Sequence, residues 1–179
     1  MKIKMIAAVD ANWGIGREGE LLFHDYLDML FFKRTTENNI VVMGKNTWNS
    51  LPDKSRPLPN RTNIIITDNP HNLKPGNIDG VVGPTILSQD SARQWFEFLY
   101  QIGLTDIKDD KPDIYIIGGG RVYKEFEKYA SEILINKFHE SRDADTFIRN
   151  FDEAEEFERF DNDKISDRFD SYIYKRKKK

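Results

Sequence analysis

The sequence predicts an α/β fold: a mostly parallel sheet covered by helices on both faces, with an antiparallel edge near its C-terminal end. Three observations predict it. Short apolar runs rich in β-branched residues alternate with segments of helical period through the first two-thirds of the chain, the pattern of parallel strands joined by crossover helices. Beyond residue 131, three strand-like runs follow one another with no helix between them, which favours antiparallel pairing. Three consecutive glycines, Gly118 to Gly120, separate a strand-like run from a helix-like one, and sheets of this kind bind ligands beyond the carboxyl ends of their strands.

The elements follow in order. Residues 2–9 form an apolar run read as a buried strand, and "ANWGIGREGE" after it reads as a Gly-rich loop. "HDYLDMLFFKRTTENN" is a helix with Asp25 as N-cap, apolar Leu27, Leu30 and Phe31, and a basic last turn at Lys33 and Arg34 that suits the helix dipole. "NIVVMG" and "RTNIIITDNP" are two more buried strands, and the segment between them starts as a short helix and becomes a Pro-rich loop. "SQDSARQWFEFLYQIG" is an amphipathic helix capped near Ser88 and closed by Gly103. "DIYIIG" and "GRVYKEFEKYA" are the strand and helix around the glycines, and "EILINKFHE", "EEFERF" and "DSYIYKRK" are the late strands. Of these junctions, the loops after Val9, Gly44, Thr67 and Ile117 are expected to form the ligand edge.

Composition removes several function classes. A chain of 179 residues is expected to form one domain over 1–179, large enough to bury a core without disulfides or metal. Twenty-seven basic against thirty acidic side chains give a formal charge of −3, so no general attraction for a polyanion is expected and any phosphate recognition must be local. No cysteine is present, which excludes thiolate nucleophiles and zinc–thiolate sites and fits a reducing compartment. Asp10 interrupts the N-terminal apolar run too early for a signal peptide, and no run approaches the roughly 20 residues of a membrane span. His24, His71 and His139 are isolated, without metal-ligand spacing, and no metal is expected. Neither a G-x-S-x-G elbow nor a Walker A sequence occurs, and the terminal "YKRKKK" reads as a solvated chain end rather than a nucleic-acid contact.

Candidate chemistry gathers at the ligand edge. Gly118, Gly119 and Gly120 follow a strand and open a helix, where backbone N–H groups hold a phosphate; the plainer reading is a tight packing turn, and the spacing is not the dinucleotide fingerprint, because Tyr123 occupies the third glycine's place. Asp28 lies among Met29, Leu30, Phe31 and Phe32. A carboxylate beside an apolar cleft needs a donor for its ionised form, which suits an amidine-like heterocycle bound through two parallel hydrogen bonds; the alternative is a first-turn acid complementing the helix dipole. Lys45 and Thr47 are placed to face a phosphate, and Arg56 and Arg61 to fork a carboxylate, the alternative for each cation being a solvated surface charge.

Taken in order and spacing, "MIAAVDANWGIG", "DMLFFKRTT", "VVMGKNTWNSLP", "RPLPNRTNIIIT", "IYIIGGGRVYKEF" and "DADTF" resemble the dihydrofolate reductase family along nearly the whole chain. The resemblance implies a three-layer α/β/α fold: an eight-stranded sheet, parallel except for an antiparallel C-terminal strand, with four helices. It implies reduction of 7,8-dihydrofolate to tetrahydrofolate by hydride transfer from NADPH, in support of one-carbon metabolism, by a cytoplasmic monomer that binds neither nucleic acid nor membrane. Asp28 matches the acid that pairs with the pterin 2-amino group and N3. Ile6, Ala8, Met29, Phe32, Leu51 and Ile117 match walls of the folate cleft, and Arg61 the arginine that grips the glutamate α-carboxylate. Ala8, Ile15, Gly16, Gly44, Lys45, Asn46, Thr47, Thr67, Asp68, Ile117, Gly119, Gly120, Arg121, Val122 and Tyr123 match cofactor contacts, Lys45 near the 2′-phosphate. The bond Gly118–Gly119 is implied to be cis, and residues 12–22 to form a mobile lid.

Four positions depart from the family pattern. Leu22 and Phe23 stand where a proline and a tryptophan are common, Asn136 where a threonine usually bonds the acid and the pterin through water, and Asp68 where a neutral or basic residue often meets the 2′-phosphate. A carboxylate there is expected to weaken the preference for NADPH over NADH. Two other functions fit the same fold: a pterin- or nucleotide-binding protein without turnover, and a reductase of another pterin or of a ribosylated pyrimidine. Asp28 and Arg61, matched to folate-binding positions, argue against the second.

Overall fold

A computed structural model describes residues 1–76, 83–102 and 111–178. Its centre is an eight-stranded sheet. In chain order the elements are β1 (Ile3–Val9), β2 (Gly14–Arg17), β3 (Glu20–Leu21), α1 (Tyr26–Thr36), β4 (Ile40–Gly44), α2 (Lys45–Ser50), β5 (Thr62–Ile66), β6 (Thr85–Leu87), α3 (Gln89–Gln101), β7 (Ile114–Gly118), α4 (Gly120–Phe126), β8 (Glu132–Phe138), β9 (Thr146–Phe147), β10 (Phe157–Asp161) and β11 (Phe169–Arg176). The large sheet runs β10-β11-β8-β1-β7-β4-β5-β6. Only β11 runs against its neighbours, antiparallel to both β8 and β10; the remaining pairings are parallel. Among the described residues the predicted architecture, with its four α-helices, is the one observed.

Strand alternation divides the core into two sides. Met5, Val9, Val42, Ile64, Ile66, Ile116, Ile133 and Ile135 face α3 and α4, packing on Ala92, Phe96, Leu99, Val122 and Phe126. Ile6, Val41, Met43, Ile65, Tyr115 and Leu134 face the other way, toward Phe31 and Phe32 of α1 and Trp48 of α2. A smaller cluster of Leu22, Phe23, Phe138 and Phe169 adjoins the second side, with Ala8 packed against it. Five buried residues in a row make β7 a two-sided core strand.

The caps read from sequence are the caps observed. Asp25 accepts from the backbone N–H of Leu27 and Asp28 at the start of α1, and Ser88 from Ser91 N at the start of α3; the closure of α3 at Gly103 lies outside the described residues. Two features were not anticipated. The Gly-rich segment after β1 is not wholly loop: β2 and β3 form a hairpin whose first strand also pairs with β9, making a separate three-stranded sheet. β6 adds an edge strand of only three residues, two of them exposed, too short and too wet to show as an apolar run.

Amino ends of the central strands are closed by charge. Lys4 Nζ lies 2.9 Å from Asp113 and 3.3 Å from Glu132. Burial lowers the Lys4 pKa, but the Asp113 hydrogen bond and the surrounding charges outweigh it and leave the pKa well above the ordinary lysine value. The carboxyl ends of the same strands carry the glycines, α2 and α4.

Candidate active site

Asp28 and Asn136 are joined directly. Asp28 sits in the first turn of α1, and Asn136 on β8 opposite Ala8 of β1. Asn136 Nδ2 donates to Asp28 Oδ1 at 2.8 Å. Burial raises the Asp28 pKa, the Asn136 hydrogen bond pulls it back, and the neighbouring charge of Asp25 raises it further, for a net upward shift. Asn136 is 1% exposed. Its Oδ1 is the one buried side-chain polar atom without a hydrogen-bond partner among the described residues.

Around this pair the expected apolar walls divide. Ile6, Phe32, Leu51 and Ile117 belong to one cluster, Ile6 and Ile117 buried and the other two partly open. Ala8 joins the adjoining cluster beside Phe23. Met29 is 58% exposed, on the solvent side of α1 together with Tyr26. A helix with a partly buried acid and exposed apolar neighbours is a helix with one flank left uncovered, as the edge of a cleft requires. Phe23 is stacked on Phe138 at 3.8 Å, with the Arg142 guanidinium 4.4 Å from its centroid, and a phenyl ring there offers no N–H to hold water.

The two arginines part company. Arg56, 3% exposed, donates to Pro75 O, Leu51 O and Asp53. It braces the Pro-rich loop rather than facing a ligand. Arg61 is half-buried; Nε donates to Thr36 Oγ1, Nη1 to Pro59 O and Nη2 to Lys33 O. These contacts fix the guanidinium at the end of α1 yet leave one N–H on each terminal nitrogen. Burial lowers the Arg61 pKa, with Glu37 acting in the opposite sense.

The glycine turn is a meeting point. β7 slips its register against β4 just before Gly118, and a slip of this kind re-aims the residues that follow. Gly118 has φ +127, which a side chain would strain, and the bond Gly118–Gly119 is cis. A Cβ on Gly120 would lie 2.7 Å from Thr146 Cγ2. Thr47 Oγ1 lies 3.3 Å from where Cβ atoms of Gly118 and Gly119 would stand, and Ile15 Cδ1 3.9 Å from that of Gly120. Ile15, Thr47, the glycines, and Val122 against Gly44 therefore come together. Tyr123 OH donates to Ile6 O at 2.7 Å, tying α4 to β1; burial, with the Asp28 charge, raises its pKa. Lys45 is half-buried, and Asn46 and Arg121 are exposed. Thr67 and Asp68 lie further along the edge at the end of β5, and Asp68 Oδ1 accepts from Gln89 N at 2.8 Å, adding a carboxylate to the start of α3.

The segment after β1 is held at its base by residues that sequence reasoning did not single out. Asp10, fully buried, accepts from Asn12 N and Gly14 N with Oδ1 and from Arg142 N with Oδ2. Arg142 also donates to Leu22 O. Asp145 accepts from Glu18 N at 2.7 Å and donates its own N–H to Gly16 O. The quoted "DADTF" contains Asp145, but nothing in a linear pattern says which carboxylate reaches back across 127 positions. The hairpin tip, Gly19 and Glu20, faces Asn46, Asn49 and Ser50 of α2 across an open hollow of about 220 Å³. No cluster of His, Cys, Asp and Glu suited to a metal is present among the described residues.

Comparison with known proteins agrees with this geometry. A family model described as dihydrofolate reductase matches residues 2–178. The dihydrofolate reductase of Heliothis virescens is 31% identical over 174 residues, covering 92% of this chain and 88% of the relative. That of Bacillus subtilis (strain 168) is 30% identical over 152 residues, covering 85% and 78%. Among solved structures, dihydrofolate reductase from Enterococcus faecalis complexed with NADP(H) and RAB-propyl superposes with a TM-score of 0.72 at 26% identity, over 99% of this chain and 97% of that one.

Proposed function

The chain belongs to the dihydrofolate reductase family, and from that premise we propose how its residues divide the work of its reaction, the NADPH-dependent reduction of 7,8-dihydrofolate to 5,6,7,8-tetrahydrofolate. The observation that carries the assignment is Asp28: a partly buried carboxylate on an uncovered helix flank, held by Asn136 beside Ile6 and Ala8.

Asp28 receives the 2-amino group and N3–H of the pterin through two parallel hydrogen bonds. Burial makes its charge costly in the free protein, and the two donors of the substrate relieve that cost on binding. Its negative charge also favours the pterin protonated at N5, the form that accepts a hydride more readily. We place no second acid against the ring, so the proton reaches N5 from water. Ile6, Phe32, Leu51 and Ile117 give the ring an apolar bed, with Ala8 below and Met29 at the rim, and Arg61 forks the glutamate α-carboxylate with its two remaining donors.

The residues present fit NADPH. At Gly119 a Cβ would meet only Thr47 Oγ1 within 4 Å, so the backbone is open to close approach. Ile15, Gly16, Gly44, Thr47, Gly119, Gly120, Val122 and Tyr123 would hold the nicotinamide half, and Lys45, Asn46, Thr67, Asp68 and Arg121 the phosphate and adenosine half. Bound there, NADPH supplies the hydride that passes from nicotinamide C4 to pterin C6. The chain contributes alignment: Tyr123 and Ile6, hydrogen-bonded to each other, fix the two ring sites in one frame, and alignment of this kind carries much of the rate of such reactions. Residues 12–22 act as a lid, anchored through Asp10 and Asp145. We further propose that the protein acts as a single-domain monomer in the cytoplasm; no helix among the described residues is long and apolar enough to cross a membrane.

The test is NADPH oxidation by purified protein with and without dihydrofolate, with NADH in parallel and with Asp28→Asn. Dihydrofolate-dependent oxidation that falls in the variant supports the assignment. Full activity of Asp28→Asn at neutral pH would remove Asp28 from it.

A further inference from the structure

Two acids share the start of α1, and only one of them has a cation. Asp25 is buried and fully engaged: Oδ1 accepts from Leu27 N at 2.9 Å and Asp28 N at 3.2 Å, and Oδ2 from Arg168 Nη1 at 2.8 Å. Arg168 comes from the loop between β10 and β11, 143 positions along the chain. Its other arm, Nη2, donates to Glu140 Oε1 at 2.9 Å, and its guanidinium lies 5.7 Å from the Phe138 centroid. The backbone is fixed as well: Arg168 N donates to Ser166 Oγ, and its carbonyl accepts from His139 N. Glu140 Oε1 also receives Arg142 Nη2, so the stacked rings of Phe23 and Phe138 lie between two guanidinium groups that share one carboxylate. An arginine that forks two acids over a ring is held in place rather than left to solvent.

We propose that Arg168 is a positioning residue for the reaction: it holds and neutralises the Asp25 carboxylate, whose other oxygen caps Asp28, and so offsets the like charge beside the residue that receives the substrate. The part that concerns the substrate rests on the dihydrofolate reading above. Three side chains bear on Asp28: Asp25 from its own helix, Asn136 from β8, and Tyr123 from α4, whose phenol is committed to Ile6 O. None of the three is a cation, and no basic side chain among the described residues pairs with Asp28 itself. Burial raises the Asp28 pKa, the Asn136 bond draws it back, and the Asp25 charge raises it again. A guanidinium 2.8 Å from Asp25 opposes that last effect. The charge of Glu140, which could cancel the guanidinium, is shared with Arg142. Asp28 must be ionised to accept two donors at once, so the charge balance at Asp25 sets the pH below which the site stops binding. Arg168 is half-exposed, and water screens the pair to a moderate effect.

The test follows the Asp28 carboxyl carbon by NMR in ligand-free protein made with isotope-labelled aspartate, the signal being identified by its absence from Asp28→Asn. Arg168→Gln should move the titration midpoint to higher pH. Asp25→Asn, which keeps an acceptor for the cap and removes the charge, should move it to lower pH. Arg168→Lys, which keeps the charge, should leave it near that of the unaltered chain. In parallel, the dissociation constant of dihydrofolate should rise by about 3- to 10-fold in Arg168→Gln on the acid side of its pH profile, the scale of a screened charge at short range, and converge with the unaltered chain on the alkaline side. A midpoint unmoved by Arg168→Gln would overturn the proposal, because a residue that only braces a loop changes stability without shifting a titration. Should Arg168→Gln not fold, Asp25→Asn decides alone, and a midpoint that does not fall would overturn the proposal. An unaltered protein that oxidises no NADPH with dihydrofolate would overturn the underlying reading, while the ligand-free midpoints would still decide the link from Arg168 to Asp28.

Discussion

Asp28 sets function against stability at the scale of one residue. Burial raises its pKa above the ordinary carboxylate value of 3.8. A group raised on folding stabilises the native state below its unfolded pKa, and that contribution is lost as pH rises through the folded value. At neutral pH the ionised carboxylate is therefore a burden on the free protein. Asp28→Asn, which keeps an acceptor for Asn136, should unfold at an equal or higher temperature than the unaltered chain at pH 7, with the difference vanishing as pH falls to about 4. Its turnover should meanwhile fall by about 10²- to 10³-fold. Thermal unfolding at the two pH values beside steady-state assays checks both. A variant less stable at pH 7 would show that the Asn136 bond outweighs the burial.

Two elements owe their ends to carboxylates that also border the site. Asp68 accepts from Gln89 N at the start of α3 and stands where the adenosine half of the cofactor is proposed to lie. Asp68→Ser should raise the NADPH-to-NADH preference by roughly 2- to 5-fold, the scale of an exposed charge contact, and lower stability by up to about 1 kcal/mol through the weaker cap. Ratios of kcat/KM for the two cofactors and a denaturant titration separate these effects. An unchanged ratio would mean that α3 has already neutralised the carboxylate. Asp145 joins the turn of the β2–β3 hairpin to β9 through Glu18 N. Asp145→Ala should loosen the hairpin: amide hydrogen exchange at Glu18 should quicken, and kcat should drop by about 10-fold, the effect of one charge-assisted hydrogen bond. Unchanged exchange would place the hold on the lid at Asp10 alone.

For the whole molecule, two sides of one sheet carry different duties. The α3–α4 side holds the larger cluster, while the α1–α2 side leaves a helix flank uncovered. A ligand that binds across β4 and β7 adds contacts that only the folded chain can make. NADPH at 100 times its dissociation constant should stabilise the protein by about 2.7 kcal/mol, seen as a rise of about 5 °C or more in the unfolding temperature. Dihydrofolate added to the NADPH complex should raise it again. A midpoint indifferent to NADPH would contradict the proposed glycine-edge site.

What lies close in sequence was legible in it. β-Branched runs specified β1, β4, β5 and β7, because a strand buried on both faces needs an unbroken apolar run. Asp25 and Ser88 announced the starts of α1 and α3, because a cap bonds to backbone two or three residues on. Asp28 stood out as a charge in an apolar helix, and three glycines as a junction without room for side chains. The tertiary structure decided the rest. Arg56 and Arg61 look alike in the chain, and only the fold turns one into the Pro-rich loop and leaves the other two free donors. Asn136 is marked in the chain only by the family resemblance; that its amide N–H goes to Asp28, 108 positions away, and leaves its oxygen idle is decided by the fold. Local hydrogen bonds and side-chain period act within a few residues and so leave a mark on the sequence. Which donor meets which acceptor across the sheet is settled by packing, and packing is a property of the folded chain.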